Sequence, residues 1–203
     1  MPLKTITKET PLVLASASDR RRILLEQVRI PFRTETSSIN EKGNSFNSPE
    51  DLGLMLARSK ALEVFARTGP AWTLGADTLV VINNHILGKP DSSEEAHRML
   101  QLLSGSEHRV ITGFCIIDPT GAVSHSEAVT TNVRIKKLGT DEIDGYIRSG
   151  EPYGKAGSYA VQGLGSFMVE EISGSYTNVV GLPLCALIKA LLSSGALEKF
   201  PLF

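Results

Sequence analysis

Cysteine and histidine are scarce in this chain: two and four among 203 residues. Cys115 lies in FCII and Cys185 in LPLCAL. Two distant cysteines form no C-x-x-C pair and no disulfide framework, and their apolar settings predict two buried thiols in a reducing compartment. His85, His97, His108 and His125 make no H-E-x-x-H, so zinc chemistry lacks its ligands; His97 and His108 read as surface or structural residues. Phosphate loops of the common type are missing. GEPYGKA has the wrong glycine spacing, and Ala156 follows its lysine. Gly163-Leu164-Gly165 runs on into Ser-Phe-Met, which breaks a dinucleotide fingerprint, and there is no G-x-S-x-G elbow. Hydride transfer and serine hydrolysis lose their usual signatures. A basic surplus is absent too: 21 Lys and Arg face 22 Asp and Glu, for a net charge of −1. With no RNP-like aromatic pattern either, nucleic acid is not the expected partner. No apolar run reaches membrane-spanning length, and MPLKTITKET has no apolar signal core, so the expectation is a cytoplasmic protein without a membrane partner.

What is present is an ordinary globular balance, 41% hydrophobic and 21% charged, enough for one sizeable core in a single domain spanning 1–203. Leu12 to Ala15 reads as a buried strand running into Ser16, Ser18 and Asp19, each a good helix cap, and a helix to about Val28. Thr34 to Ser48 reads as a loop. Ser48-Pro49-Glu50-Asp51 opens a helix to about Arg67. Trp72 to Ile82 is a strand, Asn83-Asn84 a hairpin turn, and Ile86-Leu87 the return. Ala96, Met99, Leu100 and Leu103 repeat at helical spacing before Gly105. Arg109 to Ile117 and Val123 to Ile135 are long strands, Thr140 caps a further helix, and Pro183 opens a final apolar one from Leu184 to Leu192. Strands alternating with helices predict an α/β fold with a mixed sheet.

Three constellations carry chemical content. In LASASDRRRILL, arginines crowd the first turn of a helix, where the dipole is already positive. Either an anion sits among them, with Ser16 and Ser18 as further donors, or the turn is simply solvated. In GADTLVV, Asp77 stands inside an apolar strand, where a carboxylate is costly to bury without a partner. The hairpin at Asn83-Asn84 would return Lys89 to the end that carries Asp77, either as a local ion pair or as a phosphate contact. In GKAGSYAVQGLG, Lys155 and Gln162 lie in a glycine-rich stretch whose N–H groups suit an anion nest, or only a series of turns.

These blocks, with LSGSEHRVITG and GSYTNVVGLPL, resemble the Maf family of nucleotide pyrophosphatases, in order from Leu12 to about Leu191. The resemblance implies a twisted mixed sheet flanked by helices, in two lobes with a central cleft, similar to the inosine triphosphatase architecture. It implies a hydrolase that splits a nucleoside triphosphate into monophosphate and pyrophosphate with Mg²⁺ or Mn²⁺, and a homodimer. Asp77 would be general base or metal ligand, and Glu41 a second metal-holding acid. Lys60 and Lys89 would contact phosphates, as would Ser16, Arg20 and Arg21. Arg20, Thr78 and Gln162 would govern the choice of base. Thr78 after the acid and KAGSYAVQG resemble the dTTP/UTP type. The alternatives are the family's 7-methyl-GTP type and a nucleotide-sensing regulator of cell division without turnover. Asp19 departs from the family pattern, in which proline is common there.

Overall fold

The computed structural model describes residues 5–40 and 46–202. Its strands are β1 (Leu12–Leu14), β2 (Phe32–Thr34), β3 (Thr73–Ile82), β4 (His85–Leu87), β5 (Glu107–Ile117), β6 (Val123–Ile135) and β7 (Val169–Ser173). Its helices are α1 (Asp19–Gln27), α2 (Pro49–Thr68), α3 (Ser93–Leu103), α4 (Thr140–Arg148), α5 (Tyr176–Val180) and α6 (Leu184–Ser193). The seven strands form one sheet in the order β2-β1-β3-β5-β6-β7, with β4 also paired to β3. β1 runs parallel to β2 and β3, whereas β3–β4 and β6–β7 are antiparallel, so the sheet is mixed as expected. No helix among the described residues is long and apolar enough to cross a membrane.

Contacts divide the chain into two compact units, the first comprising Met1–Asp77, Thr112–Val129 and Gly181–Phe203. Here α2 starts as the sequence predicts: the Ser48 side chain accepts from the Asp51 N–H at 3.1 Å and Pro49 occupies the first turn. Helix and sheet meet at backbone distance. A Cβ on Gly75 would lie 2.1 Å from the Ala57 carbonyl oxygen, and one on Gly113 would lie 2.3 Å from the Gly53 carbonyl carbon. Glycine at these two strand positions is therefore a packing requirement of α2. Ala57 and Ala61 pack with Cys115 and Ile117 beside that contact, and Val64 packs with Val13 and Ala15.

The second unit comprises Thr78–Ile111 and Thr130–Val180. Asn83 and Asn84 both have positive φ, 49° and 62°, the left-handed pair that a two-residue type I′ hairpin needs. The α3 apolar face (Ala96, Met99, Leu100, Leu103) is buried, with Met99, Leu100 and Leu103 packing on Val80, Val110, Val133 and Ile143. Fully burying each such side chain contributes about 1.5–3 kcal/mol.

Several expectations need correction. Cys115 is buried, but Cys185 is exposed, because it occupies the second position of α6. Thr140 begins α4 but does not cap it; Gly139 holds the cap position, and its N–H donates to the Glu142 carboxylate at 2.9 Å. The polar stretch read as loop from Thr34 begins with the last residue of a strand, β2. That strand is short and its side chains are half-buried or exposed, so it carries little apolar signal. β7 has the same character.

Candidate functional site

The three arginines of α1 have separate fates. Arg22 lies toward solvent and is neutralised locally by Glu26 at 2.7 Å and Asp19 at 3.4 Å. Asp19, the departure from the family pattern, thus pairs with Arg22. Arg21 is buried, its Nε donating to the Gly181 carbonyl at 2.8 Å and its Nη1 to Ser16 Oγ at 3.1 Å. Ser16 Oγ also accepts from the Ser18 N–H at 3.2 Å, so the hydroxyl braces the strand-to-helix turn. Ser18 occupies the N-cap position of α1 with no capping bond from its side chain. Arg20 is half-buried in the same turn.

Asp77 and Lys60 form a buried ion pair, Nζ to Oδ1 2.5 Å, with only 8% and 9% of each residue exposed. Their meeting follows from the Gly75 contact. Gly75 and Asp77 share one face of β3, because side chains alternate along a strand. Ala57 and Lys60 are neighbours on one face of α2, at three-residue spacing. The close approach at Gly75 therefore brings Lys60 onto Asp77. A buried pair is a weak stabiliser, since desolvation cancels much of its attraction. Two apolar residues would suit stability as well. The β1–β3 register pairs Leu14 with Leu74 in parallel. Ser16 follows the carboxyl end of β1, and Asp77 lies three residues beyond Leu74 in β3. Ligands of parallel α/β sheets bind at such carboxyl ends.

In the second unit, Thr78 and Gln162 are half-buried and Lys89 is exposed two residues past β4. Gly88 accepts from the Gly157 N–H at 3.0 Å, which docks the glycine-rich stretch beside Lys89. The nest expected in that stretch is filled by the protein itself. The Glu151 carboxylate accepts from the Gly165 N–H at 2.8 Å, the Leu164 N–H at 3.0 Å and the Tyr146 hydroxyl at 2.9 Å. Partial burial pushes the Glu151 carboxyl up. The donors from Gly165, Leu164 and Tyr146, with the Lys155 charge nearby, outweigh it and hold the group below its ordinary value. Lys155 turns its ammonium back onto the carbonyls of Glu151 and Tyr153, at 2.5 and 3.5 Å.

Sequence reasoning missed Glu151 and Tyr146. An acid opening a glycine-rich block was the available signal. Of the two readings of His108, surface or structural, the structural one holds. His108 is a core residue, its Nε2 2.8 Å from the Tyr159 hydroxyl, and burial pulls its pKa down to about 4. Asn178 is likewise buried, donating to the Val110 carbonyl and to Thr131 Oγ1.

Among the described residues, no three His, Cys, Asp or Glu side chains gather into a metal-holding group. Glu41 lies outside the described residues. The Asp77 carboxylate is a hard oxygen donor, which suits Mg²⁺ or Mn²⁺ where a substrate's phosphates and water complete the shell.

The architecture is that of an α/β protein with Ser16 just past the end of β1 and a buried Lys60–Asp77 pair joining α2 to the middle of β3. A family model for Maf-like proteins matches residues 11–194, and the chain belongs to that family. It is 46% identical over 187 residues to a dTTP/UTP pyrophosphatase of Geotalea uraniireducens, covering 92% of this chain and 96% of that one. A dTTP/UTP pyrophosphatase of Thermococcus onnurineus is 51% identical over 173 residues, 85% of this chain and 92% of its own. A solved dITP/XTP pyrophosphatase from Mycobacterium abscessus superposes with TM-score 0.47 at 15% identity, covering 93% of this chain and 100% of that one.

Proposed function

We propose that this chain hydrolyses dTTP and UTP to the nucleoside monophosphate and pyrophosphate. The observation that supports it most is the buried Lys60–Asp77 pair at 2.5 Å, an expensive arrangement with little stability return. The names of the relatives supply the substrate. Asp77 accepts the proton of a water that attacks the α-phosphorus, and Lys60 fixes the carboxylate's rotamer. The bond from the α-phosphorus to the bridging oxygen breaks, and pyrophosphate leaves with the electron pair. Ser16, Arg20, Arg21, Lys60 and Lys89 hold phosphate oxygens and offset the accumulating charge. A divalent cation, held by Asp77 and Glu41, would add Lewis-acid charge on the phosphates. Arg20, Thr78 and Gln162 read the base. The Gln162 amide offers one donor and one acceptor, which matches the O4 and N3–H edge of uracil or thymine.

The net charge of −1 supports a small-molecule substrate and no nucleic-acid partner. Two free cysteines support a cytoplasmic setting. A homodimer completes the reading, as the family resemblance implies.

The test is pyrophosphate release from dTTP, UTP, CTP, 7-methyl-GTP, GTP and ATP with Mg²⁺ or Mn²⁺. Release is expected from dTTP and UTP, falling about 10³-fold in Asp77→Asn, the scale of a lost general base. Gln162→Glu should weaken use of both pyrimidines. Activity retained in Asp77→Asn refutes the role of that residue, and nucleotide bound without turnover refutes the enzyme.

A further inference from the structure

Gln162 sits in a stretch that glycine makes pliable, yet reading a base demands a fixed amide. An unheld glutamine rotates and offers donor or acceptor to either edge, so it would not separate uracil from cytosine. The backbone is held on both sides of this residue. Upstream, the Ala160 N–H donates to the Tyr146 hydroxyl at 3.2 Å. Downstream, the Leu164 and Gly165 N–H groups donate to the Glu151 carboxylate at 3.0 and 2.8 Å. Tyr146 and Glu151 are joined to each other at 2.9 Å, so both anchors belong to one hydrogen-bonded unit.

That unit fits tightly. Gly163 has φ +74°, and a Cβ there would lie 2.6 Å from Glu151 Oε2. A Cβ on Gly165 would lie 2.7 Å from the Tyr146 hydroxyl and 2.5 Å from the Ala160 carbonyl oxygen. Tyr146 is itself anchored, 1% exposed in the core beside Ile143, Met168 and Tyr159. The clamp thus ties the Gln162 backbone to the rigid part of its unit. The same carboxylate fills the nest that the glycine spacing suggests for a substrate anion.

We propose that Glu151, with Tyr146, is a positioning residue for base selection: it fixes the loop that carries Gln162 and thereby sets the discrimination between UTP and CTP. The inference rests on the proposed pyrophosphatase activity and on Gln162 as a reader of the base. Glu151 takes no part in the chemistry at phosphorus. Its loss therefore acts on KM and on base preference, with kcat little changed.

The experiment measures kcat and KM for UTP and CTP in the full chain, in Glu151→Gln, Tyr146→Phe and Gln162→Ala, and in the Glu151→Gln/Gln162→Ala double variant, with thermal unfolding of each. Tyr146→Phe keeps the ring in the core and removes only the hydroxyl, so it serves if Glu151→Gln folds poorly. The expected result is a loss of about tenfold in the UTP-over-CTP ratio in each single variant, carried by KM, on the scale of one or two lost hydrogen bonds. The double variant should lose no more than Gln162→Ala alone, because both changes act on one interaction. An unchanged ratio in Glu151→Gln and Tyr146→Phe, beside a lost ratio in Gln162→Ala, overturns the inference and leaves the proposed function standing. A proportional fall on both substrates with a lower melting temperature also overturns it, since the clamp is then only structural. A wild-type chain that hydrolyses neither substrate, or a Gln162→Ala variant with full preference, sinks the reading on which the inference rests.

Discussion

Replacing Gly75 by alanine adds one methyl group where helix α2 touches strand β3. The added Cβ would stand 2.1 Å from the Ala57 carbonyl oxygen and 2.8 Å from the Ala61 nitrogen. An ordinary carbon-to-oxygen approach is about 3.3 Å, so the helix must retreat by roughly 1 Å. Both opposing atoms are helix backbone and cannot swing aside like a side-chain tip. Overpacking of this kind costs about 1–3 kcal/mol. For a chain of this size that lowers the melting temperature by roughly 2–12 °C. The same retreat draws Lys60 from Asp77, now 2.5 Å apart, beyond the range of a charge-assisted hydrogen bond. A misplacement of about 1 Å in a reacting group can cost 10²-fold in rate. Thermal unfolding and pyrophosphate release from UTP should therefore fall together in Gly75→Ala. Gly145→Ala is the control. Its Cβ would meet nothing closer than Arg148 Nη2 at 3.8 Å, and it lies within α4. Alanine there should raise stability by about 0.5–1 kcal/mol and leave activity unchanged. A Gly75→Ala chain with wild-type melting temperature and activity refutes the whole account of how Lys60 reaches Asp77.

Two further predictions concern groups outside the proposed chemistry. Burial holds the folded His108 pKa near 4, against 6.5 as the reference value. Between these values the unfolded chain binds a proton that the folded chain does not. The His108 contribution is thus fully present above about pH 6.5 and is lost as pH falls toward 4, a change of about 3 kcal/mol. Urea unfolding across that window should show a steeper loss in the wild type than in His108→Phe; equal slopes refute the assignment. The Cys115 thiol is buried and pushed up to about 11, whereas Cys185 is exposed. A thiol-reactive dye should therefore label one cysteine per folded chain and both after denaturation. Two fast-reacting thiols in the native protein would contradict the packing of β5.

Local chemistry carried most of the fold into the sequence. The cap at Ser48 with Pro49, the Asn83-Asn84 turn and the α3 stripe each depend on near neighbours, and each is present. What escaped depends on partners far along the chain. β2 and β7 are short strands with mostly half-buried or exposed side chains, so neither shows an apolar run. Asp77 was conspicuous as a carboxylate among apolar residues. That Lys60 answers it, from a helix 17 residues earlier, is visible only once Gly75 is seen as a contact with α2.

The glycine-rich block shows where this kind of reading stops. Seven residues, Gly157 to Gly163, span two left-handed glycines and reveal that the chain bends there. Which anion the bend encloses is a separate matter, because a phosphate and a glutamate carboxylate make the same demand on backbone N–H groups. Composition could not rank them. Glu151 has the advantage of being covalently attached, so it pays no loss of translational freedom on entering the nest. An internal carboxylate of this sort outcompetes a dissolved anion unless the loop first opens. What the block does hold is its own backbone: the Tyr146 hydroxyl and the Glu151 carboxylate fix the chain on either side of Gln162.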